Sequence, residues 1–250
     1  MNTHADNPDF SIVIPVWREE AIIVSTIAHV HALDPGGRCE VIVVDGDPSG
    51  STRRAIHDDG VVVLTSEKGR GVQLNAGAAA ARGGILVFLH ADTRLPEGAL
   101  DEIDAALRDP GVVGGAFALR FDSTRRVYRF MSWVVTRMTR LNRRPYGDQA
   151  IFLRKNELEK LGGFAPVPIM EDVDLVGRIR RAGGRMRMLD TPVLTSCRRM
   201  DAEGIVRRVA TNLVMTALFR LGVSPQRLSR WYTDAHRVDG VVVARPTDTP

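Results

Sequence analysis

The chain is poor in cysteine. Cys39 and Cys197 are the only two, they lie far apart, and neither belongs to a CxxC pair. That argues against a disulfide framework and against a cysteine zinc site, and makes a reducing cytoplasm the simplest expected compartment. Long apolar runs are lacking too: none reaches the roughly 18 residues that a membrane span needs. Residues 1–9 are polar and acidic, unlike a signal peptide. No internal repeat and no long linker is visible in the 250 residues. Acidic residues fall short of basic ones, 30 against 34, for a net charge of +4. The excess is mostly arginine and is not interleaved with stacking aromatics, so nucleic acid is not expected as a partner.

What is present is an alternation of strand and helix. The first half reads as strand 11–16, helix 19–33, strand 40–44, a short helix opening at Ser51 or Thr52, strand 61–64, helix 72–81 and strand 85–90. Such alternation predicts an α/β fold with a mostly parallel sheet flanked by helices. The second half is less regular. It predicts a strand at 114–121, a helix at 125–144, a short strand at 149–154, helices at 156–161 and 172–182 each closed by paired glycines, and a last amphipathic helix at 202–221. One domain is expected over 9–239, with a nucleotide-binding half at 9–95 and an acceptor-binding half at 96–239. Residues 1–8 and 240–250 are expected as loose tails.

Three of the buried-strand runs end in carboxylates. Ile85-Leu86-Val87-Phe88-Leu89 leads to Asp92, Ile12-Val13-Ile14-Pro15 leads to Glu19, and Val41-Ile42-Val43-Val44 leads to Asp45. Ligands of open α/β sheets bind outside the carboxyl ends of the strands, so three acids there point to a nucleotide and its metal. The plainer alternative is that these acids cap the following helices. Asp45 could accept a base N–H, Glu19 a ribose hydroxyl, and Asp92 is the candidate ligand for Mg²⁺ or Mn²⁺ on a diphosphate. Lys68-Gly69-Arg70-Gly71 offers cations and backbone amides to phosphates. This is not a dinucleotide fingerprint, which needs GxGxxG directly after the first strand. Glu171, Asp172 and Asp174 crowd one helix start, and Glu171 or Asp172 could deprotonate an acceptor hydroxyl.

Taken in order, these segments resemble the family 2 glycosyltransferases of GT-A fold. The resemblance rests on Pro15 and Glu19, on Val43-Val44-Asp45 with the following turn, and on Leu74-Asn75-Ala76-Gly77. It also rests on His90-Ala91-Asp92 at the metal motif and on Gly162-Gly163-Phe164 followed by Glu171-Asp172. Phe-Leu-His-Ala-Asp-Thr at 88–93, Tyr146-Gly147-Asp148-Gln149 and Leu221-Gly222-Val223-Ser224-Pro225 resemble one subgroup. The resemblance implies a transferase that moves a hexose from a UDP- or GDP-sugar to an acceptor hydroxyl or carboxyl, in one inverting displacement assisted by a divalent cation. It implies donor contacts from Pro15, Glu19, Asp45, Lys68, Arg70, Asn75, Ala91 and Asp92, a base at Asp172, and acceptor-side positions at Gly147, Asp148 and Gln149. His90 stands where the motif has an acid, and nitrogen suits Mg²⁺ poorly, so it is a secondary metal candidate. No late histidine follows the base-bearing helix. Arg198 and Arg199, expected on a strand at 195–199, are candidates to neutralise the diphosphate instead. Gln226 to Trp231 resembles the QxxRW signature of processive synthases with one residue too many.

The helix at 125–144 carries Val127, Phe130, Met131, Val134, Met138 and Leu141 on one face and seven arginines elsewhere. Either that apolar face packs on the sheet, or it rests on an anionic membrane surface and serves a lipid-linked acceptor, which would place the protein peripherally on an inner membrane face. Two other classes of function compete: a nucleotidyltransferase, which would want a Gly-rich loop after the first strand, and a non-catalytic sugar-nucleotide-binding protein.

Overall fold

The computed structural model describes residues 8–237, so the two expected tails lie, apart from Pro8, outside the described residues. The chain divides into two units. Residues up to Pro166 with Glu171–Ser196 form one, and Val167–Met170 with the residues from Cys197 onward form the other.

In the first unit the elements run β1 (Phe10–Val16), α1 (Ile23–Leu33), β2 (Cys39–Asp45), α2 (Ser51–Arg54), β3 (Val61–Thr65), α3 (Arg70–Ala80) and β4 (Ile85–Phe88). They continue with β5 (Thr93–Arg94), α4 (Ala99–Leu107), β6 (Val112–Phe121), α5 (Arg126–Asn142), β7 (Phe152–Arg154), α6 (Lys155–Lys160), α7 (Glu171–Arg181) and β8 (Arg185–Thr195). The sheet is mixed, in the order β3-β2-β1-β4-β7-β6-β8-β5. β3, β2, β1 and β4 are parallel, whereas β7 is antiparallel to both β4 and β6.

Apolar burial fixes this arrangement. β1 and β2 are buried almost throughout, as the continuous Ile/Val runs require of strands covered on both faces. One face is filled by Leu74 and Ala78 of α3 and by Leu175, Val176 and Ile179 of α7. Gly77 lets α3 close on the sheet: a Cβ there would lie 2.3 Å from a methyl of Val13. Pro15 is tolerated because β4 pairs with β1 only as far as Val13, so no ladder amide is needed from residue 15 on that side. After β1 the chain builds outward through β2 to β3, then returns to lay β4 on the other flank of β1. The crevice between the carboxyl ends of β1 and β4 is thus a topological switch point, where such sheets bind ligands.

Several elements differ from expectation. The first helix begins at Ile23, because residues 20–22 form a turn in which the Ile22 and Ile23 amides donate to the Glu19 carbonyl. The segment 185–195 is the long strand β8, while Arg198 and Arg199 open a helix, α8 (Arg198–Glu203), and not a strand. For α5 the structure decides between the two alternatives. Its buried residues are Tyr128, Ser132 and Thr139, so the apolar face does not pack on the sheet.

The cause is an incomplete strand edge. β7 pairs with β6 only at Gly114 and Gly115, which leaves the backbone of β6 beyond residue 116 without a strand on that side. Polar side chains take its place. Gln149 Nε2 donates to the Phe117 carbonyl at 2.9 Å, Thr136 Oγ1 accepts from the Leu119 amide at 3.1 Å, and Ser132 Oγ accepts from the Phe121 amide at 3.1 Å. Buried backbone groups must be paired, so α5 turns its hydroxyls inward and its apolar residues out.

The second unit contains α8, α9 (Ile205–Arg220) and α10 (Pro225–Arg237). α9 packs on both α8 and α10, and Gln226 to Trp231 lies within α10. Among the described residues, no helix is long and apolar enough to cross a membrane.

Candidate active site

At the β2 end of the crevice the acids are tied down. Asp45 is buried, and its two carboxylate oxygens accept the amides of Asp47 at 2.9 Å and Arg53 at 3.1 Å. Those bonds fold the turn after β2 and hold the start of α2. Asp47 accepts the Ser49 hydroxyl at 2.6 Å and pairs with Arg18 at 3.2 Å. The Ser49 hydroxyl and amide, with Arg18, hold its carboxyl below the usual range. The Glu19 amide donates to Thr52 Oγ1, which links the loop after β1 to α2. Gln73 Nε2 binds the carbonyls of Val16 and Val44, pinning the ends of β1 and β2 together. Lys68 Nζ lies 4.5 Å from the centre of the Trp17 ring, and the Arg18 guanidinium lies 5.8 Å from it. Trp17 and Arg18 extend the expected set at this edge. Only the position of Trp17 and Arg18 just after a buried strand could have signalled them.

The turn after β4 is fixed from several sides. Thr26 Oγ1 donates to the Ala91 carbonyl at 2.5 Å, and the Ser196 amide donates to the Asp92 carbonyl at 3.1 Å. The backbone of Asp92 is thereby held between β4 and β5, beside the switch point.

A second group of acids assembles where α7 begins. Asp172 Oδ2 accepts the Gly147 amide at 2.6 Å, and its Oδ1 accepts the Val173 amide at 2.7 Å. Two amides fix the carboxylate while a lone pair stays open on each oxygen. A Cβ on Gly147 would stand 3.2 Å from His90 Nε2 and 3.3 Å from Asp172 Oδ2. Residue 147 is therefore the point where the turn after β4 meets α7, and only glycine fits without displacement. Next to it, Asp148 Oδ1 is buried with no hydrogen-bond partner. Burial, then the charges of Asp172 and Asp92, push the Asp148 carboxyl up to about 6, against the pull of Arg70. Glu171 is buried, and Arg70 Nη1 lies 3.4 Å from its Oε1. Burial and the neighbouring Asp172 raise the Glu171 pKa. Burial opposes the charge on Arg70, but Glu171, Asp172, Asp148 and Asp92 together hold it protonated.

Arg70 thus pairs with Glu171 and is further stabilised by the charges of Asp172, Asp148 and Asp92. Arg70, expected among the phosphate cations, is engaged with acids. Asn75 binds Phe164 in both directions, Nδ2 to its carbonyl at 2.9 Å and Oδ1 from its amide at 2.7 Å, and so clamps α3 to the glycine turn before α7. Gln149 is fully buried against β6, and Asp174 pairs with Arg178 at 2.7 Å. Pro15 lies within β1, one residue before its end. Arg198 and Arg199 belong to the second unit.

The donor chemistry fits a divalent cation. Asp92 and the unpartnered Asp148 Oδ1 are hard oxygen donors, and Mg²⁺ or Mn²⁺ is commonly held by one or two carboxylates plus substrate phosphates and water. Among the described residues, no three His, Cys, Asp or Glu side chains group as an all-protein metal cage.

Comparison with known proteins bears on the fold and the family. No curated protein matches the chain in sequence. Among solved structures, the mannosyltransferase PcManGT from Pyrobaculum calidifontis, in complex with GDP-Man and Mn²⁺, superposes with a TM-score of 0.62 at 20% identity, over 94% of this chain and 71% of that one. S. aureus TarS 1-349 gives 0.59 at 16% identity, over 81% of this chain and 64% of the other. A second S. aureus TarS structure gives 0.56 at 15% identity, over 92% of this chain and 44% of that one. At these identities the likeness is one of fold, and it establishes the GT-A architecture. The sequence profile of glycosyl transferase family 2 matches residues 11–167, well over half of the chain, and the protein belongs to that family.

Proposed function

We propose that this glycosyltransferase moves a hexose from a UDP- or GDP-sugar to an acceptor hydroxyl or carboxyl, with inversion, at the corner where Asp92, Asp148 and Asp172 meet. The observation that supports this best is the Asp172 carboxylate, held at 2.6 Å by the Gly147 amide beside an unpartnered Asp148 oxygen. Asp172 takes the acceptor proton. The acceptor oxygen then attacks the anomeric carbon, the bond from that carbon to the diphosphate breaks, and the electron pair leaves with the diphosphate. Glu171 does not serve as base, since it is buried against Arg70.

Asp92 and Asp148 would hold Mg²⁺ or Mn²⁺, with His90 as neighbour. Such a cation, when bound, offsets charge on the diphosphate leaving group. An excess of carboxylates around Arg70 would otherwise repel that diphosphate, which is the physical support for metal use. Glu19 faces the nucleoside, with Trp17 and Lys68 at its rim, while buried Asp45 holds the turn behind them. PcManGT was solved with GDP-Man and Mn²⁺, which favours a guanine donor as the first to try. The acceptor is lipid-linked, and the protein works at the inner face of a membrane; the arginine-rich α5 is the support for both statements.

A thermal-shift panel of UDP- and GDP-sugars with and without Mn²⁺, on the parent chain and on Asp92→Ala, tests the reading. Stabilisation by one nucleotide class that requires both Mn²⁺ and Asp92 supports it. No stabilisation by any donor overturns it.

A further inference from the structure

α5 has its amphipathicity reversed relative to a helix that packs on a sheet. Its hydroxyls face β6, and Phe130 and Trp133 stand 63% and 60% exposed, with ring centres 6.0 Å apart in a stacked pair. Leu141, two turns on, is 72% exposed. Large apolar side chains arrayed on one exposed face mark an interaction surface. Between α5 and the strands β6 and β8 lies a cavity of about 770 Å³, whose lining includes Arg120, Arg129, Arg137, Arg140, Trp133 and Leu141. Among the described residues, Arg129 and Arg137 have no acidic partner, and the partner of Arg140 is Asp190, itself 91% exposed. Residues 123–147 contain seven arginines and no acid.

We propose that α5 is a membrane-docking surface for anionic phospholipid. Phe130, Trp133 and Leu141 enter the boundary between head groups and acyl chains, and the arginines of the adjoining groove receive lipid phosphates. Aromatic and aliphatic groups beside arginines, on a helix that itself carries no acid, are the chemistry of an interfacial helix; the one acid of the groove lining, Asp190, is paired with Arg140. A second copy of this chain is a poor occupant, because two such arginine-rich faces repel. The inference deepens the membrane-associated reading above by naming its surface. It stands without the transfer reaction, since vesicle binding needs neither donor nor metal.

The test is co-sedimentation of the full chain with phosphatidylglycerol/phosphatidylcholine vesicles and with pure phosphatidylcholine vesicles at low salt. Light scattering of the free protein accompanies it. Binding to the anionic vesicles alone is expected. Arg129→Gln with Arg137→Gln should weaken it about thirtyfold, at roughly tenfold or less per arginine near a charged surface. Phe130→Ser with Trp133→Ser should abolish it while leaving the thermal midpoint unchanged, because both side chains are exposed. Should that pair lower the midpoint, Leu141→Ser serves in its place. Absence of binding to anionic vesicles, binding indifferent to both pairs of substitutions, or a stable dimer dissociated by Phe130→Ser would each overturn the proposal. Independent donor-induced stabilisation reports separately on the catalytic reading.

Discussion

Two acidic corners share one sheet edge and differ in how their charges are met. At the β2 corner every carboxylate oxygen of Asp45 has a backbone amide, and Asp47 has a hydroxyl and a guanidinium. At the α7 corner, Asp148 Oδ1 is buried without a partner and four carboxylates share Arg70. Satisfied carboxylates shape a turn. An unsatisfied cluster costs folding free energy and persists where something else is to bind. The first corner is therefore read as the rigid wall of the donor site and the second as its reacting end.

The contrast breaks most sharply at Asp172. Asp172→Asn keeps the shape but loses the proton acceptor, and kcat should fall by about 10²–10⁴-fold while the donor-induced thermal shift is retained. Equal loss of both would make Asp172 a binding residue. Asp148 tests the cost of the unsatisfied end. Its pKa in the fold, about 6, lies above the ordinary carboxylate value of 3.8, so ionising it opposes folding. That penalty is absent below about pH 4, grows as pH rises through 6, and is full above it. Asp148→Asn should therefore stabilise the metal-free protein at pH 7.5 by up to about 3 kcal/mol and leave it unchanged at pH 4, as read from urea unfolding.

The opposite sign is expected at the satisfied corner. Asp45→Ala strands two buried amides and should cost about 2–3 kcal/mol in the same unfolding assay. A neutral result there would remove the distinction between the corners. The smallest effect expected is at their meeting point. Gly147→Ala inserts a methyl 3.2 Å from His90 Nε2 and 3.3 Å from Asp172 Oδ2, and a displacement of a few tenths of an ångström should lower kcat about tenfold with little change in stability.

The satisfied corner was the legible one. Buried runs ending at Asp45 and before Asp92 placed β1, β2 and β4 and their shared edge, because burial on both faces leaves an unbroken apolar signature. The helices at 70–80 and 171–181 were legible from their glycines and apolar spacing. The burial of Asp148 was not legible, since it comes from tertiary contacts that no local pattern encodes. β8 was hidden because it alternates arginine and methionine and contains Pro192. α4, with Ala99, Leu100, Ile103 and Leu107 inward, passed without an expectation although its period is readable. The direction of α5 was left open by the sequence for a definite reason. Its partner is a strand edge that needs hydrogen bonds, so the polar face is the one buried.

The most direct test of the central claim is electron paramagnetic resonance of Mn²⁺ titrated into the protein holding GDP or UDP. The account predicts bound Mn²⁺ that is lost in Asp92→Ala, weakened in Asp148→Asn and unchanged in Asp174→Asn, whose parent side chain is paired with Arg178. Mn²⁺ bound equally well by Asp92→Ala and Asp148→Asn would contradict it.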